Sequence, residues 1–277
     1  MKAYLKQHFD ALAPTYDAYG PVWYQVANKL LSLNLIPLDS SSVIHDNGCG
    51  TGQVTAQILK SSPTAEAGFK IHATDYSSPM ITELRKRLQP LPSNVEESVM
   101  DSEALTFPDN FFTHSFTSLV LMASADPQAI VGEIHRTLKP GGVSISSTWA
   151  SYGWAPLVDA AVHAVRLNAP IFTGPPMNEE RTKSEWLKDL FIHAGFAESN
   201  VKIHKTSVFV TMEEIDGARD DFCQTVVSMA TVPAEGQVLW SEEEKKRLYE
   251  ELQRRFHPKT TDVEGLKFEV WICVARK

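Results

Sequence analysis

Ile44-His45-Asp46-Asn47-Gly48-Cys49-Gly50-Thr51-Gly52-Gln53 is the stretch on which the fold turns. The short apolar run Val43 to Asp46 reads as a strand, and Val54, Ile58 and Leu59 recur at helical spacing, so the glycines lie in a turn that leaves a strand and opens a helix. Such a turn presents backbone N–H groups and the positive helix end to an anionic or carboxylate-bearing ligand, and glycine lets that ligand approach the main chain closely. Spacing narrows the ligand. A dinucleotide fingerprint places glycine at positions one, three and six, but position six here is Gln53 and the glycines fall at one, three and five. Asp46, two residues before the first glycine, would repel a pyrophosphate and attract an ammonium group. The turn therefore points to a nucleotide that carries an amino acid.

Outward from the turn, short apolar runs alternate with amphipathic ones, the pattern of a parallel sheet flanked by helices. Ile71 to Thr74 is expected as a strand and Pro79 to Leu88 as its helix, with Ile81, Leu84 and Leu88 on one face and Pro90 and Pro92 closing it. Val95 to Val99 reads as a strand, Phe111 to Met122 contains another, and Ile130 to Leu138 reads as a helix. Lys139-Pro140-Gly141-Gly142 ends that helix before a strand at Val143 to Thr148. After Trp149 the rhythm loosens into helices at Pro156 to Leu167 and Ser184 to Ala194, the latter stopped by Gly195. Val201 to Thr211 and Phe268 to Ala275 are β-rich and are expected to pair as an antiparallel edge. Between them runs a charged helix, Glu242 to Phe256, with Leu248, Leu252 and Phe256 on one stripe.

The 277 residues are enough to bury roughly three quarters of the surface of the unfolded chain, so a full core forms without staples. Twenty-six Lys and Arg against thirty-four Asp and Glu give a net charge of −8 with no basic stripe, which argues against nucleic acid. Cys49, Cys223 and Cys273 are odd in number and far apart, a pattern suited to a reducing compartment and unsuited to zinc. No apolar run reaches the ~18 residues of a membrane span. The expectation is a cytoplasmic protein with neither metal nor membrane insertion.

The glycine turn resembles the S-adenosylmethionine (SAM) site of the class I, Rossmann-like methyltransferases, the UbiE-type and fungal secondary-metabolite enzymes above all. Four further pieces follow in family order: Asp75 in Ala73-Thr74-Asp75-Tyr76-Ser77, Asp101 before Leu105-Thr106-Phe107-Pro108, Asn110 to Phe116, and Glu133 to Gly142. The resemblance covers about Ser42 to Trp149, and more faintly Ala13-Pro14-Thr15-Tyr16-Asp17. It implies an α/β fold: a doubly wound, mostly parallel seven-stranded sheet with an antiparallel last strand and helical lid insertions. Residues 1–277 would form one domain, with N-terminal lid helices at 1–41, a SAM-binding core at 42–149, and a substrate lid with the antiparallel edge at 150–277.

The resemblance also implies roles. Asp75 would take the ribose hydroxyls, as a carboxylate at a strand's C-terminal edge can in a bidentate arrangement, and Asp101 the adenine amino group. Asp46, Gly48, Cys49, Gly50, Gly52 and Ser102 complete the cofactor set; Tyr76, Met80 and Met100 suit the adenine faces. Cys49 is explained by its small size in the turn. Tyr16 is the candidate catalytic residue, on a lid helix that closes over the cofactor with its hydroxyl near the methionine carboxylate or the incoming nucleophile. The histidines find no such role, and His45 and His72 read as structural. Trp23, Trp149, Tyr152, Trp154, Phe172 and Met177 are the candidate walls of a pocket for a flat, apolar small molecule. The expected reaction moves a methyl group from SAM to O, S, N or C of such a molecule; the alternative is a SAM-fold protein that binds without transferring methyl, as a cyclisation catalyst or regulatory partner. An NAD(P)-dependent reductase is disfavoured by Gln53.

Overall fold

The structure is a computed structural model of the chain and describes residues 2–19, 21–33, 37–61, 68–171, 179–231 and 239–277. Its centre is a seven-stranded sheet ordered β3-β2-β1-β4-β5-β7-β6. The strands are β1 (Val43–Asn47), β2 (Lys70–Asp75), β3 (Val95–Val99), β4 (Phe112–Ser118), β5 (Leu138–Ser151), β6 (Val201–Thr211) and β7 (Gly265–Arg276). Pairing is parallel from β3 through to β5, and β7 runs antiparallel to both β5 and β6. The expected pairing of the last two strands is present, but β7 is inserted between β5 and β6, leaving β6 alone at that edge. The reason is legible in β7 itself: Ile272, Cys273, Val274 and Ala275 are all buried, a consecutive run that suits a strand covered on both faces. The β6 edge is covered in part by Gln25, whose amide donates to the Phe209 carbonyl at 2.7 Å and accepts from its N–H at 3.1 Å.

One other boundary differs from the expectation. β5 begins at Leu138, opposite Phe112, and resumes register only at Val143 opposite His114. Lys139-Pro140-Gly141-Gly142 is thus a bulge within the strand, with Gly141 at φ 80°, instead of a turn before it.

Ten helices flank the sheet among the described residues: α1 (Lys2–Leu12), α2 (Val22–Ser32), α3 (Gln53–Ser61), α4 (Ser78–Arg87), α5 (Pro127–Thr137), α6 (Ala155–Val165), α7 (Ser184–His193), α8 (Met212–Asp216), α9 (Arg219–Ala230) and α10 (Glu242–Arg255). A 3-10 segment, Ala13–Tyr19, joins the first two. The largest apolar cluster joins Val26 and Leu30 of α2, Ile58 of α3, Ile44 and Phe116 of the sheet, and Leu248 and Leu252 of α10. A second cluster packs Ile130 and Ile134 of α5 and Phe191 of α7 around Phe112. The parallel strands β1, β2 and β4 end on a common edge, and their C-terminal turns form the crevice in which open α/β sheets hold ligands. Among the described residues no helix is long and apolar enough to cross a membrane, and no group of His, Cys, Asp and Glu is placed to hold a metal ion.

Candidate active site

Two chambers open on that edge, and Tyr16 lines both. The outer chamber is lined by Gly48 and Gly50, by Asp75, Tyr76 and Met80 at the β2–α4 junction, and by Asp101 and Ser102 after β3. The inner chamber is lined by Asp46, Gly48, Cys49 and Gly50 of the turn, by Gln53, and by Trp23 of α2. Ser118 and Leu119, at the end of β4, line both.

The turn is braced from within. Four of its N–H groups are satisfied within the protein: Gly48 and Cys49 donate to the Thr74 carbonyl at 2.8 and 2.9 Å, Gly52 donates to the Cys49 carbonyl at 2.9 Å, and Gly50 donates to Asp75 Oδ2 at 2.9 Å. What the glycines supply is close approach. Gly48 sits at φ 70°, and a Cβ there would lie 2.5 Å from Val120 Cγ2. Gly52, at φ 88°, faces away from both chambers, where a Cβ would meet Leu84 Cγ at 2.9 Å.

The three acids sit in unlike surroundings. Asp46 is fully buried and accepts from the Thr55 N–H at 3.0 Å and its hydroxyl at 2.6 Å, which satisfies a donor in the first turn of α3. Burial pushes its carboxyl up to about 6. Asp75 accepts from Gly50 through Oδ2 and from the Ser77 N–H at 2.8 Å through Oδ1, and burial pushes it up to about 6 as well. Each of its oxygens keeps a second lone pair for a hydroxyl donor. Asp101 is ion-paired with Lys2 of α1, which also reaches Glu103 at 2.6 Å. Lys2 and Glu103 both line the outer chamber, and nothing in their sequence spacing signals that they meet.

Of the remaining expectations, Met80 is buried on the chamber wall, while Met100 lines neither chamber. Its sulfur instead faces the Thr106 hydroxyl at 3.8 Å. Cys49 lines the inner chamber, but burial raises its thiol well above the ordinary value, which fits a small packing residue and not a nucleophile. Tyr16 stacks on Trp23 with centroids 5.2 Å apart and planes 6° from parallel. Trp23 in turn donates from its indole N–H to the Tyr16 carbonyl at 3.3 Å.

Trp149, Tyr152 and Trp154 sit in the core. All three are under 9% exposed and belong to the main core cluster, so they back the site without lining either chamber. Trp149 packs between Trp23 and Phe268 of β7, and Trp154 against Phe222 of α9, because the C-terminal elements bring their own apolar faces over this edge. Phe172 and Met177 lie outside the described residues. His45 and His72 are structural, as expected: His45 stacks on Phe112 at 4.5 Å and meets the Thr74 hydroxyl at 2.9 Å, while His72 faces Glu96 at 3.3 Å. Leu119 was not anticipated. It sits at φ 59°, a conformation unusual for leucine, and its N–H is held by the Ser147 carbonyl at 3.1 Å and hydroxyl at 3.2 Å.

Buried carboxylates, stacked aromatic rings and a thioether around a glycine turn suit a flat base, a ribose and a positive charge. Residues 45–146 match a family described as a methyltransferase domain. Those residues run from β1 to β5 in the sheet of a Rossmann-like methyltransferase fold. Methyltransferase tpcH of Aspergillus fumigatus is 22% identical over 182 residues, covering 64% of this chain and 64% of that protein, just under two thirds of its length. The ubiquinone/menaquinone biosynthesis C-methyltransferase UbiE of Desulfotalea psychrophila is 26% identical over 216 residues, covering 72% of this chain and 84% of that protein. Among solved structures, the phosphoethanolamine N-methyltransferase 2 of Haemonchus contortus in complex with SAM superposes with a TM-score of 0.57 at 17% identity. That match covers 97% of this chain and 57% of the other, and it speaks for the fold alone.

Proposed function

We propose that the chain is a SAM-dependent methyltransferase that acts on O, S, N or C of an aromatic or otherwise apolar small molecule. The observation that carries this reading is the meeting of the two chambers at Tyr16, with Asp75 on one side and Asp46 with the glycine turn on the other. The outer chamber suits the adenosine: Asp75 for the ribose, Tyr76 and Met80 against the base, Asp101 and Ser102 at its rim. The inner chamber suits the methionine end, with Asp46 opposite its ammonium group. Bound there, SAM supplies an electrophilic methyl group on a sulfonium. The protein's part is to hold the acceptor in line and keep water out, a task for Tyr16 and Leu119 where the chambers join and for Trp23 in the inner one.

We read the chain as one domain in which residues 1–41 and 150–277 shape access to the core at 42–149. The three cysteines, all free and buried, fit a reducing, cytoplasmic setting, and the likeness to a fungal methyltransferase fits secondary metabolism. Incubation with methyl-labelled SAM and a panel of phenol, thiol, amine and carbon acceptors tests the activity, with label transfer and formation of S-adenosylhomocysteine as readouts. SAM binding without transfer to any acceptor would favour the alternative, a cofactor-binding fold used for cyclisation or regulation. Absence of SAM binding would overturn both.

A further inference from the structure

The last residue of α4, Arg87, reaches across to the glycine turn and to the N-terminal segment at once. Its Nε donates to the Thr51 carbonyl at 2.6 Å and its Nη2 to the Thr51 hydroxyl at 3.0 Å. The same Nη2 is ion-paired with Asp17 Oδ2. Asp17 Oδ1 accepts from the Thr51 hydroxyl at 2.7 Å and from the Gln53 amide at 2.9 Å, and that amide also donates to Thr51 Oγ1 at 2.7 Å. Arg87 Nε and Nη2, the Thr51 hydroxyl and the Gln53 amide all donate within this bracket, and the Arg87 side chain is only 15% exposed while Asp17 is half exposed.

The bracket stands next to the site without entering it. Arg87 and Asp17 line neither chamber, yet Asp17 follows Tyr16 in the chain and Thr51 lies between Gly50 and Gly52. One turn before Arg87 on α4, Leu84 lies against Gly52, so this helix grips the turn through an apolar contact and a charged one. The other end of α4 starts beside Asp75, whose carboxylate holds the Gly50 N–H. The turn is thus held on one flank by α4, through Leu84 and Arg87, and on the other by Asp75 at the end of β2. Arg87 also lies over the Tyr24 ring, with its Cζ 5.1 Å from the centroid, which ties α2 into the same corner.

We infer that Arg87 is a positioning residue: it locks the Tyr16-bearing segment onto the glycine turn, so that cofactor binding and the seating of Tyr16 are energetically coupled. The inference rests on the SAM-binding reading above. Lysine would keep a charge opposite Asp17 but lacks the planar fork that reaches the carbonyl and hydroxyl of Thr51 together.

The test uses the full chain as wild type, Arg87→Ala, Arg87→Lys, Asp17→Asn and Arg85→Ala. Arg85 pairs with Glu97 on the outer side of α4 and serves as the control. S-adenosylhomocysteine binding is read by calorimetry, and amide hydrogen exchange over residues 13–19 and 48–53 is read with and without that ligand. Expected is binding about tenfold weaker in Arg87→Ala, with a smaller loss in Arg87→Lys and none in Arg85→Ala. Amides in both segments should lose protection in ligand-free Arg87→Ala, and saturating ligand should restore it. Wild-type affinity and unchanged exchange in Arg87→Ala would overturn the inference. If Arg87→Ala fails to fold, Asp17→Asn, which leaves the Arg87 bonds to Thr51 in place, decides by the same readouts. If the wild type itself fails to bind S-adenosylhomocysteine, the SAM reading falls, and ligand-free exchange still shows whether Arg87 holds the two segments together.

Discussion

Asp75 Oδ2 accepts the Gly50 N–H at 2.9 Å, so the acid that ends β2 fixes the shape of the turn that follows β1. The residue offered to a ribose is thereby part of the scaffold that positions the rest of the site. Losing it would remove together the proposed ribose contact and the bond that holds Gly50.

Replacing Asp75 with alanine should weaken SAM binding by an amount on the order of 1.5–3 kcal/mol, the usual loss for a hydrogen bond to a charged group. Calorimetry with SAM or S-adenosylhomocysteine measures it, and unchanged affinity would remove Asp75 from the cofactor set.

Binding should depend on pH through Asp46 and Asp75. Burial raises both carboxyls from an ordinary 3.8 to about 6, so the folded, ligand-free protein favours their protonated forms. Their contribution to stability is accordingly full below the unfolded value and is lost as the pH rises through about 6. A cationic ligand favours the ionised forms. SAM affinity should therefore rise with pH up to about 6 and level off above it, with protons released on binding near that pH. Calorimetry in buffers of different ionisation heat checks both signs; a flat profile would show that neither acid faces the charge.

Gly48→Ala places a methyl group 2.5 Å from Val120 Cγ2 on a backbone at φ 70°, and should cost about 1–3 kcal/mol in denaturant unfolding. Adding Val120→Ala should recover only the part due to the clash. Gly132 in α5 is the opposite case. Nothing lies within 4 Å of a Cβ there, so Gly132→Ala should stabilise by roughly 0.5–1 kcal/mol.

Tyr16→Phe keeps the stack on Trp23 and removes only the hydroxyl. If that hydroxyl acts where the chambers join, kcat should fall while the Kd for SAM changes little. Wild-type turnover would confine Tyr16 to packing.

Much of the fold was legible locally, because a parallel α/β sheet writes itself as alternating periods. The helix stripe Leu248, Leu252 and Phe256 is fully buried as its spacing requires, and Val201–Thr211 is a strand over the expected residues. The glycine turn with Asp46, Asp75 and Asp101 was legible too, since each acid lies a few residues from a strand end. Trp149, Tyr152 and Trp154 were not. Their ring neighbours Phe222 and Phe268 lie far along the chain, and aromatic composition does not record which rings will meet.

The sequence by itself determined which segments are strands and most of those that are helices, where the chain turns with glycine, and which acids stand at the strand ends, because those are local matters of backbone freedom and periodicity. Only the tertiary structure decided the order in which β7 enters the sheet, the acceptors of four of the turn's own N–H groups, the pairing of Lys2 with Asp101 and the bracket from Arg87 to Asp17. Those depend on residues tens of positions apart. Their encounter is set by how helices pack on the sheet, which no local pattern records.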